Sequence, residues 1–141
     1  LDKFKKINDT YGHLYGDYIL KEVGKIIKEN VRTIDVVGRF GGEEFSVILV
    51  NTNVRDCIPL AKRIVEGINR KTFIFDGIAT NLTISAGMSG YPSMSKESKE
   101  LIKMADDAMY QTKKKGGNGV TIFQSWNSFL KIILFEKYKN V

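Results

Sequence analysis

Apolar residues recur every three or four positions in three stretches of this chain, the spacing that amphipathic helices bury on one face. The stretches lie within residues 19–31, 57–68 and 101–109, and Gly116 and Gly117, which are typical of a helix end, follow the third. The repeating positions are Ile19, Leu20, Val23, Ile26, Ile27, Val31, Ile58, Ala61, Ile64, Val65, Ile68, Leu101, Ala105, Ala108 and Met109. The pattern predicts three helices that pack on a shared core.

A hairpin is predicted around Gly41 and Gly42. Residues 35–40 are rich in β-branched and aromatic side chains, and residues 45–50 read as a second strand. Two glycines between such runs favour a tight primed turn, because both central residues can adopt φ > 0.

Single strands are predicted at residues 82–87 and 120–123. The order helix, hairpin, helix, strand, helix, strand is typical of an α+β fold, in which helices pack on a mostly antiparallel central sheet.

Glu43 and Glu44 lie at the tip of the predicted hairpin. Adjacent carboxylates repel each other, so a structural interpretation makes them solvated turn residues. A functional interpretation makes the hairpin part of an active site. The two residues alone leave both interpretations open.

Composition narrows the choice of partner. The 141 residues suffice for one domain, and the net charge of +6 with a pI near 9.4 favours an anionic partner, either a nucleotide or a nucleic acid. The one cysteine, Cys57, falls in a helical run, where a core position is favoured over a nucleophile. With no signal peptide and no apolar run of about 18 residues, we expect a cytoplasmic domain without membrane contact.

Five motifs follow one another along the chain. Residues 4–9 match FKxxND, residues 12–17 match GHxxGD and residues 41–45 match GG[DE]EF, and residues 82–87 and 105–113 continue the pattern. In this order they resemble the GGDEF family of diguanylate cyclases.

The resemblance implies a fold similar to the nucleotidyl cyclase palm, which is ferredoxin-like. It covers residues 1–123 as a GGDEF domain lacking its first strand and first helix, and leaves residues 124–141 as an extra C-terminal segment, expected to be helical. The implied reaction joins two GTP molecules into cyclic di-GMP with release of pyrophosphate, and it needs a homodimer of domains.

The resemblance also assigns the metal site, which is expected to hold Mg²⁺ or Mn²⁺. Glu43 is the implied metal ligand and proton acceptor, assisted by the backbone carbonyl of Leu1 and by Glu44. In the family an Asp-x-Asp pair precedes Phe4, and its first carboxylate is a metal ligand. The sequence begins at Leu1, one residue after that ligand, so we expect little or no turnover from these 141 residues alone.

Guanine recognition is assigned by resemblance to Asn8 and Asp17, with His13 shaping the pocket. A carboxylate can accept from the N1–H and N2–H donors of guanine, while an amide both donates and accepts. The structural alternative makes Asn8 and Asp17 cap and turn residues, because Gly16-Asp17 precedes a predicted helix.

Phosphate binding is assigned to Lys3, Phe4 and Lys5, where free backbone N–H groups would cradle the β- and γ-phosphates, and to Lys113 on the last helix. Lys5 is also expected to stabilise charge in the transition state. The family commonly has an arginine where this chain has Gly117, so a phosphate contact is lost.

Arg32 and Asp35 match the RxxD motif of the family's inhibitory site, and Arg63 matches the second arginine of that site, where the cyclic di-GMP product binds. Arginine can contact guanine N7 and O6 with two hydrogen bonds. A plain surface ion pair is the structural alternative.

Two other functions compete with the cyclase. A degenerate domain that binds GTP or cyclic di-GMP without catalysis would fit Gly117. A nucleic-acid module would need exposed aromatic side chains on its strands, whereas Phe40, Phe45 and Phe123 are expected to face the core. We therefore expect no nucleic-acid partner.

Overall fold

The computed structural model describes residues 1–124, so the helix expected within residues 124–141 lies almost entirely outside the described residues. The helices are α1 (Phe4–Tyr11), α2 (His13–Asn30), α3 (Ile58–Arg70) and α4 (Ser98–Lys114). The strands are β1 (Val36–Gly41), β2 (Glu44–Ile48), β3 (Phe73–Phe75), β4 (Ile78–Thr80), β5 (Ser85–Met88) and β6 (Gly119–Ile122). None of these helices is long and apolar enough to cross a bilayer.

The mixed α+β class is confirmed, and the strands pair in three two-stranded ladders. β1 pairs with β2 and β3 with β4, both antiparallel. β5 and β6 are parallel, because α4 connects them and a crossover of that length returns the chain in the same direction.

The three predicted helices are present, and the first begins earlier than the apolar pattern indicates. Gly12, at φ 85°, separates α1 from α2, and α2 begins at His13. Asp17 therefore lies inside α2, and Asn8 lies inside α1. The structural alternative, in which they are cap or turn residues, does not hold, because the chain turns at Gly12 instead.

A second hairpin, β3–β4, was not predicted. Asp76 and Gly77 form its turn at φ 50° and 75°, the left-handed values that a primed turn requires. The Asp-Gly pair between two short apolar runs was the signal for it.

The core lies between α2, α3 and the strands. Tyr15 is buried at its centre and its hydroxyl hydrogen-bonds to the Phe73 carbonyl at 3.0 Å and to Thr80 Oγ1 at 2.8 Å. These bonds hold β3–β4 on α2. Cys57 is buried as predicted, its Sγ lies 3.2 Å from the Asn53 carbonyl, and burial raises the pKa of the thiol.

Backbone contact fixes α4 on β5. A Cβ atom at Gly87 would lie 2.0 Å from the Ala105 carbonyl oxygen and 2.3 Å from the Met109 nitrogen, so only glycine permits this approach. The contact sets where the C-terminal end of α4, including Lys113, lies relative to the strands.

Candidate active site

The β1–β2 hairpin presents Glu43 at its tip. Gly42 and Glu43 form the turn, and Gly41 pairs with Glu44. Neither Gly41 nor Gly42 has a left-handed φ, so the predicted primed turn is wrong. An irregularity between Arg39 and Gly41 absorbs the difference by adding a residue to β1.

That extra residue is Phe40, whose side chain is 64% exposed. The prediction that Phe40 faces the core is therefore wrong, because the irregularity leaves it without a partner on β2. Phe45 packs against the core as predicted.

The side chain of Arg39 holds the turn. Its Nε donates to the Gly42 carbonyl at 2.9 Å, and its guanidinium Nη2 donates to the same oxygen. No motif predicted this role for Arg39, because an arginine on a strand is equally typical of a solvated position. The contact fixes the backbone immediately before Glu43.

Leu1 lies beside the hairpin tip, where its backbone nitrogen donates to the Glu43 carbonyl at 3.2 Å. The charged side chains of Lys113, Glu43, Asp2 and Glu44 all lie within electrostatic range of this nitrogen. The structure therefore brings the hairpin carboxylates, the first residue and the end of α4 to one place.

The oxygen atoms of Glu43 and Leu1 at this place are possible metal ligands. Within residues 1–124 no three acidic, histidine or cysteine side chains form a metal-binding cluster. The Glu43 carboxylate and the Leu1 carbonyl are hard oxygen donors, which suits Mg²⁺, because this ion is commonly bound through one or two carboxylates with waters and substrate phosphates completing its shell.

Asn8 and Gly16 bring α1 and α2 into close contact. A Cβ atom at Gly16 would lie 1.8 Å from Asn8 Oδ1 and 3.1 Å from Phe4 Cζ, so the amide and the ring occupy the space a side chain would need. Asn8 Oδ1 is buried without a hydrogen-bond partner among the described residues. Asp17 follows Gly16 directly, while His13 is exposed at the start of α2.

The chain enters α1 through Lys3, a left-handed residue at φ 56°. Within residues 1–124 the backbone N–H groups of Lys3, Phe4 and Lys5 have no hydrogen-bond partner, whereas the N–H of Lys6 bonds to the Lys3 carbonyl at 3.0 Å. A left-handed residue before a helical one turns successive N–H groups to one side, which makes an anion-binding concavity.

Lys113 is exposed in the last turn of α4. The helix ends as predicted at Gly116 and Gly117, and the Gly117 N–H bonds to the Thr112 carbonyl at 3.0 Å. Lys5 is exposed on α1.

Arg32 and Asp35 form a closed ion pair. Arg32 Nε and Nη2 donate to the two Asp35 oxygens at 3.1 and 3.0 Å, and the backbone nitrogens of Arg32 and Val50 donate to the same carboxylate at 2.9 and 3.0 Å. The Asp35 side chain is 0% exposed. The Arg32 hydrogen bond, opposed by burial and aided by the two backbone donors, holds the pKa of Asp35 at about 2.

Arg63, on α3, contacts the last residue of α2, which lies two residues before Arg32. Its Nε donates to Asn30 Oδ1 at 2.8 Å and its Nη2 donates to the Asn30 carbonyl at 3.0 Å. The two arginines of the predicted inhibitory site are therefore both anchored at the segment that joins α2 to β1.

Comparison with known proteins gives the same assignment along the chain. The sequence model described as "Diguanylate cyclase, GGDEF domain" matches residues 1–119. Diguanylate cyclase A of Treponema denticola is 44% identical over 122 residues, which are 86% of this chain and 33% of that protein. The response regulator PleD of Caulobacter vibrioides is 41% identical over 122 residues, 85% of this chain and 27% of that protein. The chain thus spans about a third or less of the length of these relatives.

Solved structures share the fold. The GGDEF domain of DgcB from Caulobacter crescentus in complex with c-di-GMP has a TM-score of 0.80 at 27% identity and covers 88% of this chain and 74% of that one. The active GGEEF domain of a diguanylate cyclase from Vibrio cholerae has a TM-score of 0.75 at 28% identity, covering 88% of this chain and 78% of that one.

We predict that Gly16→Ala displaces Asn8 and separates α1 from α2, because the new methyl group would overlap the Asn8 amide. Forced repacking of this kind costs roughly 1–3 kcal/mol of unfolding free energy. Denaturant unfolding measures it. Gly67→Ala in α3 is the matched control, since its Cβ would meet its nearest atom at 3.9 Å and alanine favours a helix by about 1 kcal/mol. Equal effects of the two substitutions would contradict the close contact.

We also predict that Asp35 makes folding stability depend on pH in the acid range. Its pKa is lower in the folded protein, about 2, than the usual 3.9 or so of an unfolded chain. The stability it contributes is therefore present above about pH 4 and is lost as the pH falls towards 2. Asp35→Asn should be less stable than wild type at pH 7, with the difference shrinking over that interval in thermal melts. A constant difference from pH 7 to pH 2 would refute the assignment.

Proposed function

The chain belongs to the diguanylate cyclase GGDEF-domain family, and from that premise we propose that it condenses two GTP molecules into cyclic di-GMP for bacterial second-messenger signalling. The observation that supports this proposal best is the contact of Leu1 with the hairpin tip at Glu43. The positive charge of Lys113 acts at the same place. That one place combines oxygen donors for a cation with a cation for phosphate, which a nucleotidyl transfer requires.

Guanine recognition is proposed for Asn8 and Asp17 on adjoining helices. Asn8 carries a buried acceptor without a partner in the described part of the chain, and the N–H donors of guanine can satisfy it when the amide turns. Asp17 follows the glycine against which Asn8 packs, and we propose that both side chains contact one edge of the base. His13 closes the pocket at the start of α2.

Triphosphate binding is proposed for the start of α1 together with Lys113. The unpaired N–H groups of Lys3, Phe4 and Lys5 donate to phosphate oxygens at the positive end of the helix. Lys113 adds a point charge from the other side, and Lys5 stabilises the charge that develops during transfer.

Glu43 is proposed as the metal ligand and proton acceptor, with the Leu1 carbonyl as a second ligand and Glu44 in support. A bound Mg²⁺ or Mn²⁺ supplies neutralising charge for the phosphate oxygens. The 3′-oxygen of one GTP bonds to the α-phosphorus of the other, the bond to pyrophosphate breaks, and Glu43 takes the proton of the 3′-hydroxyl. Because each domain holds one GTP, a homodimer must bring two sites face to face. GTP as substrate implies a cytoplasmic reaction.

Product inhibition is proposed for Arg32, Asp35 and Arg63. The similar DgcB domain was solved with c-di-GMP, which supports binding of this ligand by the family. Here Arg32 also donates to the Val50 carbonyl and to Thr52 Oγ1, at 2.7 and 2.9 Å. Cyclic di-GMP must therefore draw Arg32 away from these partners to engage it through a guanine edge.

We predict that Glu43→Gln lowers the turnover rate by about 100-fold or more. A neutral amide is a poor Mg²⁺ ligand and cannot accept the proton. The measurement is cyclic di-GMP formation from GTP in the longest natural chain that carries the domain, with thermal melting to verify the fold. Glu43→Asp is the matched control and should retain activity, because it keeps the carboxylate. Full activity of the glutamine variant would exclude Glu43, and a wild type that binds GTP without turnover would favour a non-catalytic domain.

We predict that Arg32→Ala weakens cyclic di-GMP binding about tenfold or more, the value of a lost two-bond guanine contact. Calorimetry with cyclic di-GMP measures it on the purified chain. Arg70→Ala is the control, because Arg70 is exposed at the far end of α3 from Arg63. Unchanged affinity in Arg32→Ala would contradict the inhibitory site.

A further inference from the structure

One carboxylate beside the site has no role in the function proposed above. Asp2 Oδ2 accepts from Thr83 Oγ1 at 2.7 Å and from the Asn118 backbone nitrogen at 3.1 Å, and Asp2 Oδ1 accepts from Ser85 Oγ at 2.7 Å. Its own backbone nitrogen donates to the Thr83 carbonyl at 3.0 Å. Both oxygens are therefore occupied by protein donors.

These bonds join three stretches that are far apart in sequence. Asp2 immediately precedes the free N–H groups of residues 3–5, Ser85 begins β5, and Asn118 follows α4 by a short turn that starts just after Lys113. The candidate phosphate donors thus come from two separate segments, and Asp2 touches the end of each.

The hydrogen bond from Asn118 to Asp2 anchors the turn after α4. Gly116, Gly117 and Asn118 all have left-handed backbones, at φ 108°, 77° and 52°. Asparagine adopts this conformation more readily than most other residues with a side chain. The bond from its N–H group to Asp2 fixes the turn against the start of α1.

Gly117 is fitted to the same carboxylate. A Cβ atom at position 117 would lie 2.9 Å from Asp2 Oδ2 and 3.4 Å from Ser85 Oγ. The space next to Gly117 is therefore filled by Asp2, and a side chain at 117 would push the carboxylate out of its bonds.

From this geometry we propose that Asp2 is a positioning residue of the triphosphate site, an inference that rests on the proposed function. It holds the amides of residues 3–5 and the end of α4 carrying Lys113 at a fixed separation. It acts through hydrogen bonds that it accepts from Thr83, Ser85 and Asn118, so its role depends on its acceptor oxygens and not on binding a metal ion.

Two substitutions separate positioning from metal ligation. Asp2→Asn keeps the acceptor oxygen that Thr83 and Asn118 share, and the hydroxyl of Ser85 can reverse its hydrogen bond to accept from the amide nitrogen. Asp2→Ala removes every acceptor. A positioning role predicts that asparagine behaves as wild type and alanine does not, whereas a metal ligand would tolerate neither substitution.

The test is equilibrium binding of GTP and of GMP to the 141-residue chain, with hydrogen exchange of the Asn118 amide as a readout that needs no ligand. We expect Asp2→Ala to lose about tenfold in GTP affinity with GMP affinity unchanged, and to speed exchange at Asn118. Asp2→Asn should match wild type in all three. Gly117→Ala should resemble Asp2→Ala and add little to it, because both disturb one contact.

Each contrary outcome has a distinct meaning. If Asp2→Ala binds GTP as wild type does, or loses GTP and GMP equally, the positioning role is wrong and the proposed function stands. If wild type binds neither nucleotide, the proposed function fails and the role of Asp2 in phosphate binding fails with it. If Asp2→Ala does not fold, equal loss of GTP affinity in Asp2→Asn and Gly117→Ala would still overturn a role that depends on acceptors.

Discussion

The first two residues hold together parts of the domain that no sheet connects. The three ladders share no strand in the described residues, yet the Leu1 nitrogen bonds to Glu43 on the hairpin and the Asp2 nitrogen bonds to Thr83 just before β5. The carboxylate of Asp2 extends the connection to the turn after α4. The hairpin carboxylates, the amides at the start of α1 and Lys113 converge because these contacts span the distances between their elements.

The contact of α1 with α2 has a different cost. Packing Asn8 over Gly16 buries Oδ1 without a partner in the described part of the chain, and a buried unsatisfied acceptor costs about 1–3 kcal/mol. If the contact were purely structural, an apolar side chain of similar size in place of Asn8 would make the fold more stable. The unsatisfied amide is explained if a ligand provides the missing donors, which is the role proposed for guanine. Stability is then given up in the free protein and regained on binding.

The sequence predicted the elements whose signals are local. The end of α4 at Gly116, the two-strand character around Glu43 and the burial of Cys57 follow from turn residues and apolar spacing, and all are present. The predicted primed turn fails because an irregularity in β1 shifts the turn by one residue, and pairing between strands decides that shift. The start of α2 was misplaced because Gly16 and Asp17 are typical of a turn and an N-cap, although both lie inside the helix. The role of Asp2 had no local signal, since its partners lie more than 80 residues away.

The two candidate nucleotide sites differ in how they are prepared. At the start of α1 the donors have no partners among residues 1–124, and a left-handed Lys3 already turns them to one side, so a phosphate meets a preorganised surface. At the inhibitory site Arg32 is engaged by Asp35, Val50 and Thr52, and Arg63 by Asn30. A ligand there gains only the difference between its own contacts and those it replaces. The proposed inhibition would consequently need accumulated product, because binding competes with internal hydrogen bonds that the substrate site does not have. If the domain is inhibited by its product as proposed, synthesis would come first and inhibition would follow, and the closed Arg32–Asp35 pair would set the product concentration at which inhibition begins.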